Sequence, residues 1–147
     1  MVTEWSAESS DPDFLAELNI QAISTNFYQH GLAHGGNIMG LERLTENAVL
    51  VLFTAAVKSA ELEAKMTEKI KAYGAEIEAF AASVNGLFEW KHLNYAGSFQ
   101  DPLSGYGAAN VAKMRAASVR YDPYGVFQTK LSTGFKVSKT WCCPSPN

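Results

Sequence analysis

The chain has 147 residues, of which 47% are hydrophobic and 18% charged, so its length suits one domain with a buried core. Its formal net charge of −3 at pH 7 supplies no basic surface for a nucleic-acid backbone or an anionic membrane, and we expect neither as a partner. No apolar stretch reaches the roughly 20 residues of a membrane span, and the acidic segment Met1–Asp13 does not have the pattern of a signal peptide, so we expect a soluble, cytoplasmic protein.

The first predicted element is a short helix over about residues 12–22. Asp11 suits the N-cap and Pro12 the first helical position. Apolar residues then recur at helical spacing, at Phe14, Leu15, Leu18 and Ala22. The next segment, Phe27–Gly40, contains four glycines and two histidines, which interrupt any helical period and predict pieces of strand and turn.

The middle of the chain predicts a strand followed by a long helix. The run Ala48–Ala55 is apolar on both faces, which indicates a central strand covered on each side. A turn over residues 42–47 can pair it with residues 37–41 as a hairpin. From residue 59 to residue 84 apolar side chains recur every three or four positions, which predicts a long amphipathic helix over about 59–84.

The C-terminal part predicts a short strand at Trp90–Asn94, a helix from about Asn110 and extended chain over Val126–Val137. The helix is expected to bury four of its side chains, Val111, Met114, Ala117 and Tyr121. This mixture predicts an α+β fold, with an antiparallel sheet packed against helices, in a single domain over residues 1–137. Residues 138–147 are expected to be a flexible tail, in which the adjacent Cys142 and Cys143 are more simply free thiols than a strained disulfide.

Four segments resemble the berberine-bridge-like family of FAD-linked oxidoreductases. They read GLAHGGNIMGL at residues 31–41, LNYA at 93–96, QDPL with the following YG between 100 and 107, and YDPYGVFQ at 121–128. Each segment is weak alone, but their order and spacing cover about Phe27–Val137, which makes a chance similarity improbable. The chain is therefore similar to the C-terminal, substrate-side domain of that family.

The resemblance implies a complete enzyme in which an N-terminal domain holds FAD and a C-terminal α+β domain covers the reactive face of the flavin. It assigns Asn94 and Tyr95 to the cofactor-facing position. The sequence contains no flavin domain, and Gly35-Gly36 precedes a predicted strand instead of opening a helix, as a phosphate-binding fingerprint requires. We therefore expect no cofactor in this chain alone, with FAD as the alternative.

The candidate catalytic residues are His92 and Tyr95. In a strand, Trp90, His92 and Asn94 share one face, so His92 lines any pocket that Asn94 lines. An imidazole can accept and return a proton near neutral pH without a cofactor, and Tyr95 can donate to a substrate oxygen. A structural role, exposed or hydrogen-bonded, remains the competing interpretation of a lone histidine.

The predicted substrate-binding residues are Asn94, His34, Tyr28 and Trp90, around an apolar small molecule. His30 and His34 are four residues apart, as a metal pair on a helix would be, but the neighbouring glycines argue against that helix and we predict no metal site. The aromatic residues of the chain are equally consistent with core and with a cavity lining.

Two functions are consistent with these residues. The first is a stand-alone, flavin-free domain that catalyses a cofactor-independent cyclisation or isomerisation in fungal natural-product metabolism, by holding a reactive conformer beside hydrogen-bond donors. The alternative is the C-terminal half of an FAD-linked oxidoreductase, either as a fragment or as a subunit working with a separate flavin-binding chain. Without its flavin domain the chain would expose a normally buried surface, so we expect a homodimer.

Overall fold

The computed structural model describes residues 14–140, which form two compact units, one of residues 14–23 with 49–88 and one of residues 24–48 with 89–140. The predicted capping residues 11–13 and the tail cysteines lie outside the described residues. Within this range no helix is both long and apolar enough to cross a bilayer. The same residues contain no group of three or more His, Cys, Asp or Glu side chains that could hold a metal ion.

The elements of the described residues confirm the predicted α+β class, with a two-stranded antiparallel sheet and four helices between residues 14 and 140. In chain order they are β1 (Leu15–Ile23), α1 (Thr25–Ala33), β2 (Ala48–Ala56), α2 (Ala60–Ser83), α3 (Ala108–Tyr121) and α4 (Val126–Thr129). Short 3-10 turns lie at Leu41–Arg43, Leu93–Tyr95, Ser104–Tyr106 and Val137–Lys139.

The long amphipathic helix is confirmed as α2, which has 24 residues. It begins after Ser59, whose hydroxyl accepts a hydrogen bond of 3.1 Å from the Leu62 N–H and so satisfies one of the free N–H groups of the first turn. Met66 and Tyr73 are its buried residues, and the Tyr73 ring lies 6.1 Å from the Phe53 ring of β2, between centroids. The inner face of α2 therefore contacts the sheet.

The prediction for the N-terminal segment was wrong. Residues 15–23 form β1 instead of a helix, and β1, not residues 37–41, pairs with β2. Leu18, Asn19, Ile20 and Gln21 alternate apolar and polar, which is the period of a strand, and pairing with β2 outweighs the helical spacing of four apolar side chains. β2 confirms the predicted strand, but it is not covered on both faces, since Val49 is 63% exposed.

The second unit begins with α1, where strand and turn were predicted. Ser24 caps the helix by accepting a 3.2 Å hydrogen bond from the Asn26 N–H. Gly31 lies inside its last turn, and one glycine costs a helix only about 1 kcal/mol, which weakens the helix without preventing it. The helix ends before Gly35 and Gly36, which adopt φ values of 100° and 77°.

The helix predicted from about Asn110 is confirmed as α3, although its buried face is shorter than expected. Asn110 and Val111 are buried, whereas Ala117 is exposed and Tyr121 is 76% exposed. The amide of Asn110 donates to the Tyr106 carbonyl at 3.1 Å, so the packing contacts concentrate at the first turn of α3.

The segment predicted as extended, Val126–Val137, instead begins with the short helix α4. Both carboxylate oxygens of Asp122 accept backbone hydrogen bonds there, from the N–H of Val126 at 2.8 Å and of Phe127 at 2.9 Å. An acidic residue that caps two N–H groups starts a helix whatever the alternation of the following side chains.

Candidate functional site

Four aromatic side chains of the second unit form one connected group, the His92 cluster, made of Trp90, His92, Tyr95 and Tyr106. The rings of Trp90 and Tyr106 are stacked, with centroids 6.3 Å apart and planes inclined by 21°. The edge of His92 meets Trp90 at 5.9 Å, and the rings of His92 and Tyr95 lie 4.6 Å apart. The cluster therefore places one imidazole between an indole and a phenol.

The backbone at residues 90–95 is not the predicted strand. It is extended at His92 and then closes a 3-10 turn at Leu93–Tyr95, in which the Tyr95 N–H donates to the His92 carbonyl at 2.9 Å. The turn brings the Tyr95 ring back to the imidazole, whereas Asn94 is exposed. A strand would have placed Asn94 on the same face as His92. The 3-10 turn does not give the two residues that arrangement.

Two hydrogen bonds and one glycine hold the cluster in place. The indole N–H of Trp90 donates to the Met39 carbonyl at 2.9 Å, and the Tyr106 hydroxyl oxygen accepts from the Leu93 N–H at 3.3 Å. Gly40 adopts φ 76°, and a Cβ atom at this position would collide with the backbone carbonyl of Tyr106. The segment around Gly40 therefore packs directly against the ring cluster.

The imidazole of His92 has one unusual atom. Its Nδ1 is buried and has no hydrogen-bond partner within residues 14–140. Buried polar atoms are almost always paired, and a neutral imidazole has one nitrogen that donates and one that accepts. Nδ1 can therefore form a hydrogen bond with a group outside the described residues.

Tyr106 is the buried residue of the cluster, with only 3% of its surface exposed. Burial raises the pKa of its phenol above the ordinary value of 10.0, and the hydrogen bond accepted from Leu93 partly opposes that rise. The phenol is therefore protonated at neutral pH. Sequence analysis did not select Tyr106, although its position between Gly105 and Gly107 in a family-like segment was a usable signal.

The other predicted substrate-binding side chains lie outside the ring contacts of the cluster. The Tyr28 hydroxyl donates to the Leu44 carbonyl at 2.8 Å, which fixes α1 to the turn that follows it. His34 is exposed at the C-cap of α1, and its Nδ1 lies 2.9 Å from the His30 carbonyl. Of the four predicted residues, the cluster therefore includes Trp90.

A flavin would need a flat contact surface for its ring system and a backbone cradle for its diphosphate. The exposed part of Tyr95, 43% of its surface, offers one aromatic ring for the first requirement. Within residues 14–140 no glycine-rich loop opens a helix after a strand, because Gly35 and Gly36 follow α1. The described residues therefore offer an exposed aromatic ring to a flavin and no cradle for its diphosphate.

Comparison with known proteins relates the chain to fungal flavoenzymes. No protein-family model matches it, and no solved structure does so significantly. It is 38% identical over 135 residues to the FAD-dependent monooxygenase drtC of Aspergillus calidoustus, covering 90% of this chain and 25% of that protein. The FAD-dependent monooxygenase sdcF of Emericella nidulans is 34% identical, over 77% of this chain and 24% of that protein.

A third relative is the bifunctional solanapyrone synthase of Alternaria solani, 34% identical over 80% of this chain and 22% of that protein. The chain spans about a quarter of the length of the curated relatives that it matches. A match over 90% of the chain includes the His92 cluster at residues 90–106. The chain is a homologue of fungal FAD-dependent monooxygenases over a segment equal to about a quarter of their length.

Proposed function

We propose that the chain is the substrate-side segment of a berberine-bridge-like, FAD-linked oxidoreductase of fungal natural-product metabolism. In this proposal the His92 cluster faces an apolar small-molecule substrate, beside a flavin held by another part of the protein or by another chain. The observation that carries it is the 38% identity to an FAD-dependent monooxygenase over 90% of the chain, a match that includes the cluster. The four family-like segments support the same assignment.

His92 is the proposed acid–base residue. In this proposal its imidazole accepts a proton from a substrate hydroxyl and returns it, and Nδ1, which has no hydrogen-bond partner within residues 14–140, is the atom left for that contact. Tyr95, in ring contact with His92 and 43% exposed, is the proposed donor to a substrate oxygen. Bound FAD would supply the two-electron oxidant.

The second candidate is a cofactor-independent cyclase or isomerase that works as a homodimer. It uses the same two side chains, His92 and Tyr95, because proton transfer and hydrogen bonding need no flavin. It requires the chain to complete its substrate pocket within its own oligomer. The FAD-dependent relatives favour the oxidoreductase over this second candidate.

The test is complementation of drtC from which the matching quarter has been removed. This chain is co-expressed with that protein, and the purified product is examined by visible absorbance and by solution mass. The oxidoreductase proposal expects a yellow complex, while this chain alone is colourless and inactive. A colourless homodimer that turns over a substrate without flavin would overturn the proposal in favour of the second candidate.

A further inference from the structure

The second unit contains a cavity of about 390 Å³ that none of the rings of the His92 cluster lines. Its wall combines the loop at residues 98–101 with residues 128–140, which run from the end of α4 through the last 3-10 turn. A cavity of this size is within the range that holds a small ligand.

Two amide side chains of this cavity are held by hydrogen bonds from backbone N–H groups. The amide oxygen of Gln100 accepts from the Gly97 N–H at 3.0 Å, and that of Gln128 accepts from the Ser138 N–H at 3.2 Å. These bonds orient the two amides, and the NH₂ groups of Gln100 and Gln128 can donate to a ligand.

The charges of the lining favour an anion. Lys136 and Lys139 contribute two ammonium groups, and Lys136 uses one of its three donors on the Thr133 carbonyl at 2.7 Å. Asp101 is the one carboxylate among the described lining residues, and one of its oxygens accepts from the Ser104 N–H at 3.2 Å. The described lining therefore combines two cationic side chains and two amide donors with a single carboxylate, which already accepts a hydrogen bond in a turn.

We infer that this cavity binds the oxyanion of a small molecule, a carboxylate or a phosphate, whose apolar body packs against Phe135 and Leu131. Hydrogen bonds from ammonium and amide N–H groups to an anionic oxygen are charge-assisted and are stronger than bonds between neutral groups. Phe135 and Leu131 supply the apolar part of the wall. The site is separate from the His92 cluster and does not depend on the function proposed for it.

The test titrates the purified chain with benzoate, with benzamide as a neutral molecule of the same shape and with inorganic phosphate. The readout is the set of amide shifts in a two-dimensional ¹H–¹⁵N spectrum. We expect benzoate to shift residues 98–101 and 128–140 and benzamide to leave them unchanged. If phosphate binds as tightly as benzoate, the site is assigned to phosphate groups, and if phosphate binds more weakly, it is assigned to carboxylates. The absence of shifts with both anions, or equal shifts with benzamide, overturns the inference.

The decisive variant is Gln128→Glu, because glutamate keeps an oxygen for the Ser138 N–H and replaces the NH₂ donor with a carboxylate oxygen. It is expected to weaken benzoate binding roughly tenfold or more, as the loss of a bond to a charged group implies. Lys130→Gln is the matched control, since Lys130 is exposed and outside the lining. Gln100→Glu repeats the test at the other amide, and unchanged affinity in both glutamate variants overturns the inference.

Discussion

The imidazole of His92 lies 4.6 Å from the phenol ring of Tyr95, although a strand at residues 90–94 would have directed the two side chains to opposite faces. The 3-10 turn at Leu93–Tyr95 is the reason, because its hydrogen bond from the Tyr95 N–H to the His92 carbonyl folds the chain back by one turn. The two candidate catalytic residues are therefore neighbours through a local backbone feature.

The first prediction separates the hydroxyl of Tyr95 from its ring. Tyr95→Phe keeps the ring contact with His92 and removes the proposed donor, so it should lower kcat/KM of the reconstituted flavoenzyme by about tenfold to a hundredfold. Its thermal stability should remain within about 0.5 kcal/mol of wild type, as for surface substitutions. Full activity in Tyr95→Phe together with a loss in Tyr95→Ala would assign Tyr95 a packing role instead.

The second prediction concerns Gly40. Gly40→Ala places a Cβ atom against the Tyr106 carbonyl at a φ of 76°, and the backbone strain alone is worth about 1–3 kcal/mol. Urea unfolding should show that the free energy of unfolding falls by this amount or more. Gly74→Ala is the control, because Gly74 lies in α2 with nothing within 4 Å of a new Cβ and should stabilise the helix by roughly 0.5–1 kcal/mol. Equal effects of the two substitutions would contradict the packing described at Gly40.

The third prediction is a pH dependence from Tyr106. Burial raises the pKa of its phenol in the folded chain, so the unfolded chain loses this proton first as the pH rises. The contribution of the protonated Tyr106 phenol to the free energy of unfolding is therefore complete below the ordinary pKa of 10.0. It is lost as the pH rises from there through the pKa of the folded chain. Tyr106→Phe removes this loss.

Tyr106→Phe should also destabilise the chain by about 1 kcal/mol at neutral pH, because the Leu93 N–H loses its acceptor. The difference between wild type and variant should shrink above pH 10.0, while lysine titration, common to both proteins, cancels. A difference in unfolding free energy that is constant across this range would contradict the assignment.

The fourth prediction tests the start of α4. Asp122→Ala removes the acceptors for the N–H groups of Val126 and Phe127 and should cost about 1–2 kcal/mol. Asp122→Asn keeps one oxygen acceptor and should cost less. Hydrogen exchange at these two amides measures the effect directly, and unchanged protection in Asp122→Ala would show that α4 does not need the cap.

The sequence pattern predicted the elements whose stability is local. The helix α2 combines a capping serine at Ser59 with apolar residues at a continuous period of three to four, and both signals survive in the fold. β1 could not be predicted in the same way, because Leu15, Leu18 and Ala22 fit a helix while Leu18 and Ile20 fit a strand. The choice depends on pairing with β2, about 30 residues away along the chain, which no local period records.

Three of the predicted site residues lie in ring contact, although the strand predicted to carry them is absent. Trp90, His92 and Tyr95 were selected because they lie near a family-like segment, and the three rings are in contact. Tyr106 was not selected, because its contribution depends on a contact with Gly40 across the second unit. A glycine at positive φ that touches a distant backbone leaves no sign in the side-chain pattern.

The most direct test of the central proposal is the rate of flavin reduction by substrate in the complex of this chain with drtC lacking its matching quarter. We expect His92→Gln to lower this rate at least about a hundredfold with the flavin still bound, as for the loss of an acid–base group. His30→Gln, at an exposed histidine of α1 outside the cluster, should leave the rate unchanged. An unaltered rate in His92→Gln would rule out the acid–base role proposed for His92, because this residue would then take no part in the reaction.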